Sequence, residues 1–571
     1  MSEVAPHGAV DELDRPGGGS MAEREQAAGL WPIKRALTVA SVTAVAGLVV
    51  VMTAVLAVLG FPHLQHTKAL PLSQMLDVLK LVLGTVAGVG ALFALVTAYR
   101  RQRLAEAAHD HAQRVDAIQQ AHQERLARNA EHDAAERRIT ELYNAAAEQL
   151  GSDKAPVRLT ALYTLERLAN DNPQQRQTIV NIVCAYLRMP YTPPFAGRLG
   201  PEEEHRERAR RAAARYRAAR DFRPIPAEPQ TQGPDPHEEH QVRLTAQRLL
   251  TTHLQPDAEH HWADISLDLT SATLTGFTLT DCTVHHADFS HTTLAGDTRF
   301  DGATFDGDTR FDGATFSGDT SFGKVTFSGR ARFGRASFSG RTWFVGASFS
   351  RIAWFGGASF AEEARFDEVT FFGEARFGRA SFAEKARFDR TSFSGDARFD
   401  GTAFAEDTGF VNATFSGDTW FSGAAFSGDT WFGGAAFSGG ARFDEAAFSK
   451  ATSFSGATFS RGASFGRAAF SGDTWFSGAA FSGDTWFGGA AFSGDTGFVR
   501  AIFSGDTRFR EATFSGIANF HGAIFGAGVD MTSAAVADVA EGHVPPPNWR
   551  VEPSERGEGR FVRDSAPANG S

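Results

Sequence analysis

The chain has 571 residues and a formal net charge of −11. It is therefore too long for one ordinary core, and its mildly acidic balance gives no sign of nucleic-acid binding. Its two cysteines, Cys184 and Cys282, exclude a disulfide framework and fit a reducing compartment.

Two uncharged apolar runs near the N-terminus predict a membrane anchor. Residues 1–35 are expected to be a disordered cytoplasmic segment. The apolar runs follow at 36–60 and 81–98, and a helix over the first is about 37 Å long, enough to cross a bilayer. The first run is too long for a signal peptide. Residues 36–99 are therefore expected to form an anchor of two transmembrane helices.

The basic flanks of these runs predict the topology. Lys34 and Arg35 precede the first run, and three arginines follow the second within residues 100–103. The positive-inside rule places both ends in the cytoplasm, so we expect a multi-pass protein of the cell (inner) membrane with both termini cytoplasmic. Gly84 and Gly88 form a GxxxG step, which is typical of closely packed membrane helices.

The middle of the chain is predicted to be helical. Residues 100–150 contain no Gly or Pro and predict a helical stalk, with a coiled coil as the alternative. Residues 151–194 have apolar residues at helical spacing on both sides of Asn172-Pro173. They predict a helical hairpin, similar to a single HEAT-type repeat. Residues 195–241 are rich in Pro and charge and are predicted to be a linker.

Phenylalanine recurs at alternating steps of five and six from Phe300 to Phe525, so the repeat period is 11. This pattern accounts for 42 of the 50 phenylalanines. The residue two before each Phe is small: usually Ala in the five-step units, and Thr or Ala in the six-step units. Side chains two apart on a strand face the same way. Each unit therefore sends one large and one small side chain inward, where stacked coils bury them.

The block before this repeat shows a simpler pattern. Its apolar residues are five apart. Its units ATLTG and ADFSH, together with the unit GATFS of the Phe repeat, resemble the A-(D/N)-L-x-x unit of pentapeptide-repeat proteins. The resemblance implies an all-β, right-handed, four-sided β-helix solenoid over residues 242–540, followed by a disordered tail at 541–571. It also implies that Cys282 fills the interior.

The size of one coil is left open by the sequence. Every second unit has six residues, so a four-sided coil takes 22 residues, and an 11-residue coil is the alternative. The stretch at residues 415–437 is repeated identically at 470–492. The offset of 55 residues equals five 11-residue periods but two and a half 22-residue coils, so the duplicated unit has 11 residues. A disordered Phe-Gly chain is a rival interpretation, but it does not require an unbroken register.

No catalytic, cofactor or metal site is predicted, and we expect no enzyme. Residues 462–466 match the G-x-S-x-G nucleophile motif, but Ser464 stands just before an interior Phe, so the repeat explains it. The His pairs lack Cys and a regular ligand spacing; they are His237 and His240, His260 and His261, and His285 and His286.

Tryptophan marks the outward face of the repeat. It directly precedes Phe in six of the six-step units, at Trp343, Trp354, Trp420, Trp431, Trp475 and Trp486. On a 22-residue coil three of them share one face and three the opposite face. Exposed Trp favours protein interfaces, so these six are the candidate partner-binding surface. The alternative is that they only stack on arginines of neighbouring coils, as Trp354 would on Arg376.

Two classes of function follow. The first is a non-enzymatic, membrane-anchored scaffold that presents a rigid β-helix to a cytoplasmic protein partner and does not bind nucleic acid directly. The second, implied by the resemblance, is a DNA-mimic regulator of a DNA-handling enzyme such as DNA gyrase. Residues 297–530 contain 27 acidic against 22 basic residues, which is a weak charge for a mimic.

Overall fold

The computed structural model describes residues 33–58, 72–194, 235–554 and 558–564. The chain divides into two compact units, Met1–Arg138 and Ile139–Ser571. The expected disordered segment 1–35 lies outside the described residues up to residue 32. From Ile33 the chain is helical.

The first unit consists of helix α1, Ile33–Val58, and most of helix α2, Leu72–Leu150. Among the described residues one helix, Leu76–Leu150, is long and apolar enough to cross a membrane, by length and composition, and no residue of its apolar part is buried. It contains the second predicted span. The apolar part of α1, Ser41–Ala57, is shorter, and the last two residues of the predicted first span lie outside the described residues.

The second unit begins with the end of α2 and three further helices. These are α3, Ala155–Asp171, α4, Arg176–Arg188, and α5, Pro236–Leu254, with a 3-10 turn at Pro173–Gln175. Helix α5 starts inside the predicted linker, most of which (195–234) is outside the described residues. Asp235 caps it, since its Oδ1 accepts a hydrogen bond from the backbone N–H of His237 at 2.9 Å, and Pro236 suits the first helical position.

The rest of the second unit is a β-solenoid of about 12 turns, built from four sheets. Sheet I has 13 strands: Leu267–Asp268, Ala287–Asp288, and then one per coil from Thr309–Arg310 to Val529–Asp530. Sheet III has 11, one per coil from Thr298–Arg299 to Ala518–Asn519. Sheet IV has 12: Thr283–Val284, and then one per coil from Thr304–Phe305 to Ile524–Phe525.

Sheet II has 15 strands and contains both ends of the solenoid. It starts with Thr273–Thr275 and Thr293–Ala295, and continues with one strand per coil from Thr315–Phe316 to Ala535–Val536. Two antiparallel strands, Gly559–Arg563 and Trp549–Pro553, complete it.

All other strand pairs of the solenoid are parallel and fix the size of one coil. Trp420, for example, pairs with Arg398 on one side and with Arg442 on the other. From Thr298 onward, paired strand residues in adjacent coils are 22 residues apart, as Thr298 and Thr320 are. Each coil therefore holds two periods of the Phe repeat, and the alternative of an 11-residue coil is wrong.

The core consists of stacked phenylalanine columns. All 42 repeat phenylalanines are buried except Phe525, and the small residues two before them are buried too. Rings one coil apart stack face to face, as Phe404 on Phe426 at 4.8 Å and Phe426 on Phe448 at 4.7 Å. Rings from different sheets meet edge to face, as Phe421 and Phe432 at 5.4 Å. Both arrangements suit the ring quadrupole, so the alternating spacing lets the rings fill the interior.

The two unit lengths make two kinds of corner. In the five-step corner, Ala424 N–H donates to Phe421 O at 3.0 Å and Gly423 between them has φ +64°, the position of a β-turn that favours Gly. In the six-step corner, coils approach so closely that a Cβ on Gly417 would lie 2.6 Å from the carbonyl carbon of Gly395. At Gly417, glycine is therefore favoured by space rather than by φ, although other six-step corners have Glu at the equivalent position, as at Glu362 and Glu384.

The N-terminal end of the solenoid is covered by helices. Two glutamine side chains each form a pair of hydrogen bonds with the backbone of one residue in the first coil, as a neighbouring strand would. Gln247 of α5 donates to Thr275 O at 3.1 Å and accepts from Thr275 N at 3.2 Å. Gln177 of α4 does the same with Ser266, at 2.9 and 2.8 Å. These bonds satisfy backbone groups that an edge would otherwise expose.

The C-terminal end is covered by a hairpin where the sequence predicts a disordered tail at 541–571. The strands Trp549–Pro553 and Gly559–Arg563 extend sheet II, and Phe561 is buried against Phe514 at 5.9 Å. The prediction of disorder is wrong because this segment lacks the repeat pattern that the sequence analysis relied on. Its apolar residues are buried only by packing against the end of the Phe column. Residues 565–571 lie outside the described residues.

Candidate functional site

The six tryptophans lie on two sheets, as the 22-residue coil predicts. Trp354, Trp420 and Trp486 are on sheet I, and Trp343, Trp431 and Trp475 are on sheet III. Each directly follows a buried Thr or Ala and precedes a buried Phe, so the strand turns its indole outward. Trp431 and Trp475 are each 39 % exposed and Trp354 is 37 % exposed.

Of the sheet I tryptophans, Trp354 and Trp420 stack on arginines of neighbouring coils, whereas Trp486 is paired with Ser464 on one side and Arg508 on the other. Trp354 lies between Arg332 and Arg376, with guanidinium carbons 4.8 and 6.0 Å from its ring centroid. Trp420 lies between Arg398 and Arg442, at 4.6 and 6.0 Å. The stack of Trp354 on Arg376 is therefore present. These arginines cover part of the indole faces by cation–π contact.

On sheet III the surroundings of Trp431 and Trp475 are different. The residues paired with Trp431 in the adjacent coils are Gly409 and Ser453. Those paired with Trp475 are Ser453 and Gly497. Both indoles therefore rise beside residues with little or no side chain, and they stand two coils apart, roughly 10 Å at the usual strand spacing.

Aspartates line the six-step corners and bind the backbone of the next coil. Asp473 Oδ1 accepts from Asp495 N–H at 3.0 Å, and Asp495 Oδ1 accepts from Ile517 N–H at 2.9 Å. The recurring Asp before the inward Thr is visible in the sequence, but its role is not. It satisfies a backbone donor at a corner, where the sheet ladder is interrupted.

Some of these aspartates also pair with arginines one coil ahead. The Arg330 guanidinium donates to Asp308 and that of Arg341 to Asp319. These hydrogen bonds lower the pKa of both carboxyl groups below the ordinary value. Neighbouring coils in this part of the solenoid are therefore connected by Arg–Asp ion pairs as well as by packing in their shared core.

The residues considered for catalysis or metal binding lie in surroundings that favour a structural role. The Ser464 hydroxyl donates to Asp444, whose Oδ1 also accepts from Gly466 N–H at 3.0 Å. Burial raises the pKa of the Cys282 thiol to about 12, so the thiolate needed of a nucleophile is disfavoured. Among the described residues, no group of three or more His, Cys, Asp or Glu is arranged to hold a metal ion.

A buried charged cluster between the helices was missed by sequence reasoning. Glu239 of α5 pairs with Arg158 of α3 at 3.2 Å and with Arg243 at 2.6 Å, and it accepts a hydrogen bond from the Tyr186 hydroxyl at 3.0 Å. Arg243 also donates to the carbonyl oxygens of Leu187 and Met189. The only signal was the i, i+4 spacing of Glu239 and Arg243. Glu239 lies in the segment predicted as linker and Arg243 in the range predicted as β-helix, whereas the structure has a helix, Pro236–Leu254, across that boundary. The cluster ties α5 to the other two helices.

Comparison with protein families finds a match in the repeat region. A family model described as pentapeptide repeats, nine copies, matches residues 269–370 and 388–535 in overlapping segments. The matched residues lie within the four sheets of the solenoid. No curated protein matches the chain.

Proposed function

Because the solenoid belongs to the pentapeptide-repeat family, we propose that the protein is a non-enzymatic scaffold that presents its solenoid to a protein partner. The observation that carries the proposal is the contrast between an invariant interior and a differentiated outer face. In the Phe repeat, from Phe300 to Phe520, the interior is filled by Phe, Ala and Thr, with Val only at Val325 and Val369. The outer face carries the six tryptophans on two sheets.

The scaffold is proposed to be anchored in the cell membrane by two helices over 36–60 and 81–98, with both termini and the solenoid in the cytoplasm. The apolar window of α2 and the apolar segment Ser41–Ala57 support this anchor, and the basic flanks support the orientation. We take the solenoid to be the right-handed, four-sided helix that is characteristic of its family. Its four sheets agree with that shape.

The topology is tested by reporter fusions after Gly151 and at the C-terminus. Both fusions are expected to be active only as cytoplasmic reporters. A signal from the external side at either position would contradict the two-span anchor.

The partner-binding role is tested by affinity isolation from the host's own membranes. The full chain is compared with a variant in which all six tryptophans are replaced by Ala. The wild-type chain is expected to retain a specific partner, and the variant is expected to lose it while keeping its β-solenoid circular dichroism. A partner that binds the variant equally well would remove the tryptophans from the proposed surface.

The DNA-mimic function is less well supported. A mimic of duplex DNA needs negative charge along its length, whereas residues 297–398 contain 14 acidic and 15 basic residues. A membrane-anchored chain is also a poor match for an enzyme that acts on the chromosome.

A further inference from the structure

The outer surface of the solenoid changes character near residue 400. Residues 297–398 contain 14 acidic and 15 basic residues, whereas residues 399–506 contain 11 acidic and 5 basic ones. Most ion pairs of the solenoid lie before this point, such as Arg332 with Asp312 at 2.7 Å and Arg365 with Asp367 at 2.8 Å. The later coils therefore carry a negative charge that their own arginines do not balance.

That negative charge borders the two exposed tryptophans of sheet III. Asp429, Asp473 and Asp495 each stand two residues before the outward position of a sheet III strand, in the coils of Trp431, Trp475 and Gly497. Each uses Oδ1 to hold the backbone of the next coil. In the part of the chain that the structure describes, none of the three forms an ion pair, and Asp473 and Asp495 are exposed.

Among the residues that the structure describes, no Lys or Arg stacks on the indole of Trp431 or Trp475. On sheet I the positions next to Trp354 and Trp420 in adjacent coils are arginines. On sheet III the corresponding positions next to Trp431 and Trp475 are Gly and Ser. The faces of the Trp431 and Trp475 indoles are thus available to a cationic group of a binding partner, unlike those of Trp354 and Trp420 on sheet I and that of Trp343 on sheet III, which has Arg341 5.1 Å from its ring centroid. A guanidinium or ammonium group fits such a face and would also meet the neighbouring carboxylates.

We propose that Trp431 and Trp475, with Asp429, Asp473 and Asp495, form a docking surface for an arginine- or lysine-rich segment of the partner protein. The inference rests on the proposed scaffold function and adds the location and the chemistry of contact. Successive cationic side chains of an extended peptide that point the same way are about 6.5–7 Å apart. Such a peptide places cations near both indoles, with a small residue, Ser453, between them. The coil between those of Asp429 and Asp473 has Lys450 at the same corner. The carboxylates of the docking surface therefore lie in the coils on either side of this lysine.

The test uses the full chain in nanodiscs of zwitterionic lipid and a fluorescent deca-arginine peptide, with deca-glutamate as the charge control. Binding is followed by fluorescence anisotropy at two salt concentrations. The variant Trp431→Ala/Trp475→Ala is expected to weaken deca-arginine binding about tenfold. The matched control, Trp354→Ala/Trp420→Ala on sheet I, is expected to change it less than about twofold, because arginines occupy those indoles.

A second variant separates charge from fold. Asp473→Asn/Asp495→Asn keeps an oxygen that can accept the backbone hydrogen bond, so the corner is retained while the charge is lost. It is expected to weaken deca-arginine binding and to reduce its salt dependence. Absence of deca-arginine binding by the wild-type chain, or equal losses in the sheet I and sheet III variants, would overturn the proposal.

The same two tryptophan variants distinguish this proposal from the scaffold function when the host partner is isolated. Loss of the partner only in the sheet III variant agrees with both the docking surface and the scaffold function. Loss only in the sheet I variant leaves the scaffold function in place and overturns the docking surface. Retention of the partner by both variants and by the variant lacking all six tryptophans overturns the docking surface but leaves the scaffold function in place, whereas failure of the wild-type chain to retain any partner overturns the scaffold function.

Discussion

The two halves of the solenoid, residues 297–398 and 399–506, share one interior and differ in their exterior. Phe rings of sheet II stack at 4.5 Å in the first half, between Phe316 and Phe338, and at 4.8 Å in the second, between Phe404 and Phe426. The first half is nearly charge-balanced and the second is acidic. The strand register therefore does not depend on surface ion pairs. The charge of the outer surface can differ between coils while the Phe core stays the same.

The largest expected effect comes from forcing a charge into this shared core. Ala424 is fully buried, whereas the next residue, Ala425, is exposed. Ala424→Arg is expected to destabilise its coil by at least about 5 kcal/mol, because an unpaired charge would be buried where only a small side chain fits. Ala425→Arg is the matched control and is expected to have little effect. Hydrogen exchange of the two variants measures the difference, and similar exchange in both would contradict the inward assignment of Ala424.

A smaller loss is expected from removing one ring, and it should be equal in the two halves. Phe338→Ala and Phe426→Ala both delete a buried ring of the sheet II column, at a cost of roughly 3–5 kcal/mol each. Since each coil of a solenoid contacts mainly its neighbours, increased hydrogen exchange should appear near the substituted residue before the ends. A markedly smaller loss at position 338 would indicate that surface ion pairs contribute to holding the first half together.

Acid should affect the two halves differently. The pKa values of Asp308 and Asp319 are lowered in the folded chain by Arg330 and Arg341. Their contribution to stability is therefore present above the ordinary Asp pKa and is lost as the pH falls through the lowered value. Amide protection near residues 308–341 is expected to decrease in that acidic range, relative to residues 415–437.

The control for this acid effect is Asp319→Asn, which has no carboxyl group to titrate. The pH dependence near residue 341 should flatten in this variant. If it is unchanged, the decrease in protection comes from other groups.

The smallest expected effect on stability is that of the tryptophans. Trp420→Ala removes stacking on Arg398 and Arg442, and Trp431→Ala removes an indole with no arginine beside it. We expect a loss of about 1 kcal/mol for Trp420→Ala and less for Trp431→Ala, measured by denaturant unfolding of the full chain. Unfolding of the solenoid by Trp420→Ala as severe as that caused by Phe426→Ala would contradict the outward assignment.

The interior could be predicted from sequence because its signal repeats. Each Phe is preceded at a fixed offset by a small residue, and alternation along a strand leaves one consistent interpretation. The coil size was not determined, because the Phe spacing is equally regular whether one coil holds one period of the repeat or two. The pairing of Trp420 with Arg398 and Arg442 decides it.

The parts without a repeat were the hardest to predict. The C-terminal hairpin around Phe561 and the cluster of Glu239 with Arg158 and Arg243 depend on contacts between residues far apart in sequence. For the candidate surface, the sequence predicts which sheet each tryptophan occupies. It offers the stacking of Trp354 on Arg376 only as an alternative, because the residues that flank a tryptophan can be identified only once the coil is known to hold 22 residues.

The eleven-residue period has a consequence for how the gene can change. An insertion or deletion of eleven codons preserves the reading frame and the Phe columns, but it advances the chain by half a coil. Every later tryptophan then moves between sheets I and III, as the repeated stretches 415–437 and 470–492 already illustrate: Trp420 is on sheet I, and its counterpart Trp475 is on sheet III. The terminal hairpin, which pairs with Ala535–Val536 of sheet II, would meet the edge of sheet IV instead. Only changes by an even number of elevens leave both ends and both faces as they are, so viable length variants of this gene should differ by whole coils.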